Sequence, residues 1–238
     1  MGNLLLRGML AGLLAGFLAF GFAKVFGEPQ VDRAIGFEEQ MSKAQGAPEE
    51  PELVSREVQA SIGLFTGVAV VGTAMGGLFA LAFAFFNGRL LVDLSPRTAT
   101  IIIAALGFLA IYLVPNLKYP ANPPAVGSPE TIGYRTQLYF GMIVFSLAAL
   151  AIAISAGRQF FAQVGGWNVI MIGAGVYIVL TGLAGYFLPP INEVPNGFPA
   201  DLLWKFRVDS LAIQGILWMA IAIIFGMLVE RSGTRSVR

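Results

Sequence analysis

The sequence predicts an all-α integral membrane protein, a six-helix transmembrane bundle built from three helix–loop–helix hairpins and forming one transmembrane domain over residues 1–238. Three observations predict it. Of the 238 residues 56% are hydrophobic and 12% charged, whereas a soluble domain carries about 25% charged residues. Six apolar stretches reach the length that crosses a hydrocarbon core, about 20 residues at about 1.5 Å per residue. Lys24 is the only charged residue inside any of them, near an end where its stem can snorkel.

Taken in order, the spans are 8–26, 60–86, 99–114, 138–156, 167–188 and 211–229. The first has a second reading. Arg7, the apolar run and Gly21-Phe22-Ala23 also fit a secretory signal with a small-residue cleavage site, but the run exceeds the usual 7–15 residues, which favours a retained helix. The third is the shortest: it is expected to stop at Pro115, while Pro96 lets its start extend into Arg97. Prolines stop helices because they lack a backbone donor and crowd the preceding turn. Long connections alternate with short ones, so the chain reads as three hairpins. Ile111-Tyr112-Leu113-Val114-Pro115-Asn116 and Gly185-Tyr186-Phe187-Leu188-Pro189-Pro190 match, and each leads through a Pro-rich loop to an arginine before the next span, Arg135 and Arg207. The first hairpin has Pro29 and Arg56 in the corresponding places. Snorkelling explains these arginines simply; a shared recognition role is the other reading.

Charge sets orientation. The N-terminus, the 87–98 and 157–166 connections and the C-terminus carry Arg7, Arg89, Arg97, Arg158, Arg231, Arg235 and Arg238 against only Asp93 and Glu230. The other side has eight basic and twelve acidic residues. Seven basic residues in about 40 positions outweigh eight in about 80, which places both termini in the cytoplasm.

The glycines recur at helical spacing: Gly8, Gly12 and Gly16, then Gly63 and Gly67, then Gly72 and Gly76. Small residues four apart let membrane helices approach closely. Internal packing is the simpler reading for most of them, and a surface for a partner helix is the other; the sequence leaves room for a homo-oligomer.

Composition also excludes chemistry. The chain has no cysteine, hence no disulfide, thiol nucleophile or thiolate site. It has no histidine, the usual general base and nitrogen ligand. A net charge of +1 gives no footprint for nucleic acid. No nucleotide- or cofactor-binding motif is present, and no enzyme is expected. Within the spans Gln214 is the most polar side chain, with Thr66, Ser146 and Thr181 as weaker neighbours. An interhelical hydrogen bond explains Gln214 better than a pathway does.

The charged material lies in the loops. The acidic loop 27–59 carries Glu28, Asp32, Glu38, Glu39, Glu49, Glu50, Glu52 and Glu57. Its start, from Glu28 through Ile35, reads as a short helix with Pro29 in the first turn. Spacing of i, i+4 puts Glu28 and Asp32 on one face, where two carboxylates can share a hard divalent cation. A solvated acidic surface is the plainer reading. The stretch Ala44–Pro51 reads as linker. Asn192 and Glu193 sit in the Pro-rich loop 189–195, and Asp201 lies just beyond it. Trp204 and Phe206 beside Lys205 and Arg207 read as an interfacial anchor. The candidate metal residues are therefore Glu28, Asp32, Asn192, Glu193 and Asp201, with Arg56, Arg135, Arg207 and Gln214 as further candidates.

The phrases Phe26-Gly27-Glu28-Pro29-Gln30-Val31-Asp32-Arg33-Ala34-Ile35 and Asn192-Glu193-Val194-Pro195 through Trp204-Lys205-Phe206-Arg207 resemble the CbtA family, described as a probable cobalt-transporter membrane subunit. The resemblance runs from the first helix to the last. It implies cobalt uptake across the bacterial plasma membrane, with cobalt as substrate, together with a small CbtB-like membrane subunit. Tyr112 stands where some relatives have a histidine. Cobalt favours imidazole or thiolate over isolated carboxylates, so either the partner supplies nitrogen ligands or this member passes a different ion. A non-transporting membrane scaffold of a larger complex is the alternative function.

Overall fold

The structure, a computed structural model, describes residues 1–46, 54–91 and 93–235, with 162–164 and 232–235 described by backbone alone. Glu49, Glu50, Glu52, most of the expected linker and Arg238 lie outside the described residues.

The described chain is all-helical. Six helices are long and apolar enough to cross a membrane: α1 (Gly2–Ala44), α2 (Arg56–Phe86), α3 (Pro96–Lys118), α4 (Pro129–Phe161), α5 (Gly165–Phe187) and α6 (Ala200–Arg231). Long outward faces, such as Trp167, Ile170, Ile178 and Phe187 of α5, are apolar. A chain with six such helices is a multi-pass membrane protein, since only lipid makes these faces inexpensive to expose.

Two helices run through prolines expected to stop them. The helix expected over Glu28–Ile35 is continuous with the first span and reaches Ala44, passing Pro29, and α3 passes Pro115 to reach Lys118. In both, a π-helical segment lies just before the proline, Ala23–Gly27 and Phe108–Leu113. A proline ring clashes with the carbonyl four residues earlier, here Val25 and Ile111. Both fall inside the widened turns, where the ladder is already displaced from its usual spacing. Pro189 acts as expected: α5 ends at Phe187.

The chain divides into two compact units. The first holds α1, α2, the first half of α3 as far as Phe108, residues 122–125 and the chain from Asn196 onward, including α6. Its α1 and α2 are antiparallel in one register. Gly8 faces Gly76, Gly12 faces Gly72 and Gly16 faces Val68, and a Cβ on Gly8, Gly12, Gly72 or Gly76 would overlap opposing atoms. Each step is four residues down one helix and four up the other, about one turn. The spacing of Gly8, Gly12, Gly16, Gly72 and Gly76 thus serves internal packing, whereas a Cβ on Gly67 would meet nothing. Further along the same register Phe20 meets Phe65 edge-on at 5.4 Å between ring centroids. Helix α6 packs on α1 and on the first half of α3. Trp218 lies where a Cβ on Gly107 would stand, and Thr100 presses on Gly226. Phe225, fully buried, receives Phe79 and Phe83 edge-on at 5.7 and 5.4 Å.

The second unit holds Leu109–Ala121 and Val126–Pro195, that is, the second half of α3 with α4 and α5. Its core is Val114, Met142, Ala149, Ala153, Tyr177 and Ala184. Helices α4 and α5 form a tight antiparallel pair, with Gly157 against Val169 and Gly173 against Ala153. The backbone leaves the helical region at Gly165, whose φ of +77° is open to glycine at little cost. Inside this unit the buried Ser146 and Tyr177 hydroxyls share a 2.7 Å hydrogen bond, so two polar groups at membrane depth satisfy each other.

Candidate functional site

In the first unit the candidate acids gather at the end where α1 runs on past Pro29, opposite the end carrying Met1. Glu28 and Asp32 are one turn apart on that extension, and Arg56, the first residue of α2, reaches both. Its Nε donates to Asp32 Oδ1 at 2.9 Å and its Nη2 donates to Glu28 Oε2. The i, i+4 spacing read from the sequence does bring the two carboxylates together, with a guanidinium bridging them. The pair Glu28–Arg56 continues the glycine register. One turn further into the seam Lys24 Nζ donates to the Ala60 carbonyl at 2.9 Å. Lys24 and Ala60 both lie in π-helical segments, Ala23–Gly27 and Gln59–Gly63.

Asp201, in the first turn of α6, pairs with Arg33 of the α1 extension at 3.0 Å and lies 4.0 Å from Lys205. Phe37 and Phe198 stack edge-on at 5.0 Å beside that link. Two separate sets of ion pairs thus tie the α1 extension to its neighbours, Arg56 with Glu28 and Asp32 to α2, and Arg33 with Asp201 to α6. Arg207, a turn and a half further along α6, donates to Asn122 Oδ1 at 2.9 Å. Gln214 is half-buried on α6, one turn from the buried Trp218.

The remaining candidates lie in the second unit. Glu193 Oε2 accepts the Ser128 backbone N–H at 2.8 Å and lies 3.4 Å from Arg135 Nε. The Arg135 guanidinium also donates to the Ser128 carbonyl at 3.1 Å and occupies the space a Cβ on Gly127 would need. Glu193 is held below its ordinary pKa, first by the Ser128 N–H, then by the Thr131 hydroxyl and, less, by the Arg135 charge. Asn192 accepts a long 3.5 Å hydrogen bond from the Val194 N–H of its own loop.

The arginines before the returning spans therefore share a role in the fold: Arg56 and Arg135 hold carboxylates, and Arg207 holds an amide oxygen. Among the described residues no three of Asp and Glu converge as a group that could hold a metal ion. The bridged pair at Glu28 and Asp32 offers at most two carboxylates and leaves further ligands to water or another chain, whereas hard divalent cations take six or more oxygens. Sequence reading passed over Arg33 as the partner of Asp201, although it directly follows Asp32. It also passed over Asn122, which no spacing connects to Arg207.

The family model described as probable cobalt transporter subunit (CbtA) matches residues 1–230. No curated protein and no solved structure matches the chain.

Proposed function

We propose that this chain, which belongs to the CbtA family, is the transmembrane subunit of an uptake system for divalent cations, with cobalt as its principal substrate. The observation that carries the reading is the family match over nearly the whole of a six-span membrane protein. The end bearing Glu28, Asp32 and Asp201 faces outward, and both termini lie in the cytoplasm of a bacterial plasma membrane. The positive-inside bias of the short connections supports this orientation. Glu28 and Asp32 gather the hydrated cation, while Asn192, Glu193 and Asp201 are further outward-facing oxygen ligands. A small CbtB-like subunit supplies nitrogen ligands, because cobalt favours imidazole and this chain has no histidine. The chain carries no nucleotide-binding motif, so any ATP coupling comes from another chain.

A membrane scaffold is the second reading, and one observation favours it. The α1–α2 seam is closed backbone to backbone at Gly8, Gly12, Gly72 and Gly76, so it offers no passage. Replacing the acids tests their part in uptake. Glu28→Gln with Asp32→Asn is expected to reduce cobalt accumulation in cells without reducing membrane insertion. Normal accumulation by the double variant would remove these residues from the mechanism.

A further inference from the structure

We infer that Arg56 is a built-in competitor for the cation at Glu28 and Asp32, released when a divalent ion binds and returning when it leaves. The inference rests on the proposal that these two carboxylates receive the ion.

The argument begins with burial. The Glu28 side chain is only 11% exposed, and a carboxylate so enclosed is costly without a positive partner. Arg56 is that partner here, and its own side chain is 26% exposed. Asp32, at 58%, is open to water. The guanidinium bridges the two with different nitrogens, Nε to Asp32 and Nη2 to Glu28. Two carboxylates and one guanidinium leave a formal charge of −1. A divalent ion added to that set would meet the Arg56 charge at a few ångströms, a repulsion of kilocalories even near a protein surface. Ion and guanidinium therefore compete for the same two carboxylates.

The order of exchange follows from exposure. An arriving ion meets Asp32 first and weakens the Nε contact. Glu28 is freed only when the ion can replace the charge it loses, so this buried carboxylate keeps a counter-ion throughout. Arg56 is the first residue of α2, and its side chain can swing out without breaking a turn of that helix. Below this level the seam is occupied by the Lys24 ammonium on the Ala60 carbonyl and then by the glycine contacts. Return of Arg56 thus becomes the means of discharging an ion that the seam does not take inward.

The test uses the full chain in membrane vesicles. Arg56 is modified with phenylglyoxal, an arginine-selective reagent, and its reaction rate is followed by peptide mass spectrometry with and without cobalt chloride. A several-fold faster reaction with cobalt is expected, and an unchanged or slower one overturns the competitor role. In the Glu28→Gln, Asp32→Asn variant Arg56 is expected to react fast with or without cobalt. Arg56→Gln is expected to bind radioactive cobalt on the order of tenfold more tightly than wild type; equal or weaker binding by the inserted variant overturns the inference. Should cobalt leave Arg56 reactivity unchanged while the acid double variant loses uptake, the exchange fails and the uptake reading stands. Should the double variant keep full uptake, the exchange fails together with the placing of the cation at Glu28 and Asp32, while uptake itself stands.

Discussion

Lys24 of α1 donates to the Ala60 carbonyl of α2 at 2.9 Å, one turn from the Arg56–Glu28 pair on each helix. The only charged residue inside an expected span thus points its ammonium at a backbone oxygen of the neighbouring helix. The same register continues down through Gly16–Val68, Gly12–Gly72 and Gly8–Gly76. One seam therefore carries charge pairing at the loop end and backbone contact through the membrane.

The seam glycines are expected to be intolerant. Gly12→Ala would place a Cβ into the Gly72 carbonyl, and overpacking typically costs about 1–3 kcal/mol. Gly67→Ala, with open space around it, is expected to be neutral or slightly stabilising, since alanine is the better helix former by about 1 kcal/mol. Thermal unfolding of both variants in detergent checks the contrast.

Gly127→Ala is expected to disturb the loop that holds Glu193. Gly127 has a φ of +119°, which side chains rarely adopt, and the Arg135 guanidinium fills the space of the missing Cβ. The variant should lose about 1–3 kcal/mol. It should also expose the Arg135–Glu193 link to proteolysis, measured by limited digestion against wild type.

Acid should loosen the same loop. The folded pKa of Glu193 lies below its ordinary value of 4.5, chiefly because of the Ser128 N–H. Its stabilising contribution is therefore present above that value and is lost as pH falls through the lower folded one. Between pH 6 and pH 3 wild type should lose more stability than Glu193→Gln, as thermal melts of the two would record. Equal losses would remove Glu193 from the pH response.

Ser146 and Tyr177 should behave as a couple. Removing one hydroxyl, by Ser146→Ala or Tyr177→Phe, leaves the other buried without its 2.7 Å partner. Each single change is expected to cost about 0.6–1.7 kcal/mol at membrane depth. The double change should cost less than the sum, because it leaves no orphaned hydroxyl. A double-mutant cycle on thermal stability measures the coupling.

How far the sequence carries the reader depends on the range of the interaction. The six spans follow from apolar length, and the face of Gly8, Gly12 and Gly16 follows from a four-residue repeat, so both are local signals. The path of α1 through Pro29 was hidden because a π-helical segment leaves no mark in composition. The partners of Arg33 and Arg207 were hidden by distance along the chain. Arg33 finds Asp201 across 168 residues and Arg207 finds Asn122 across 85, and no spacing rule joins them. The Glu28–Asp32 pair was legible as a pair, but its guanidinium was not, since Arg56 also fitted a snorkelling role at the membrane edge.

Cobalt accumulation tests the central claim most directly. Cells lacking their own cobalt importers would express this chain alone, a CbtB-like subunit alone, or both, with membrane insertion confirmed by fractionation. Accumulation only when both chains are present is the predicted result. No accumulation in any of the three, with the chain in the membrane, would contradict cobalt uptake and leave the scaffold reading in its place.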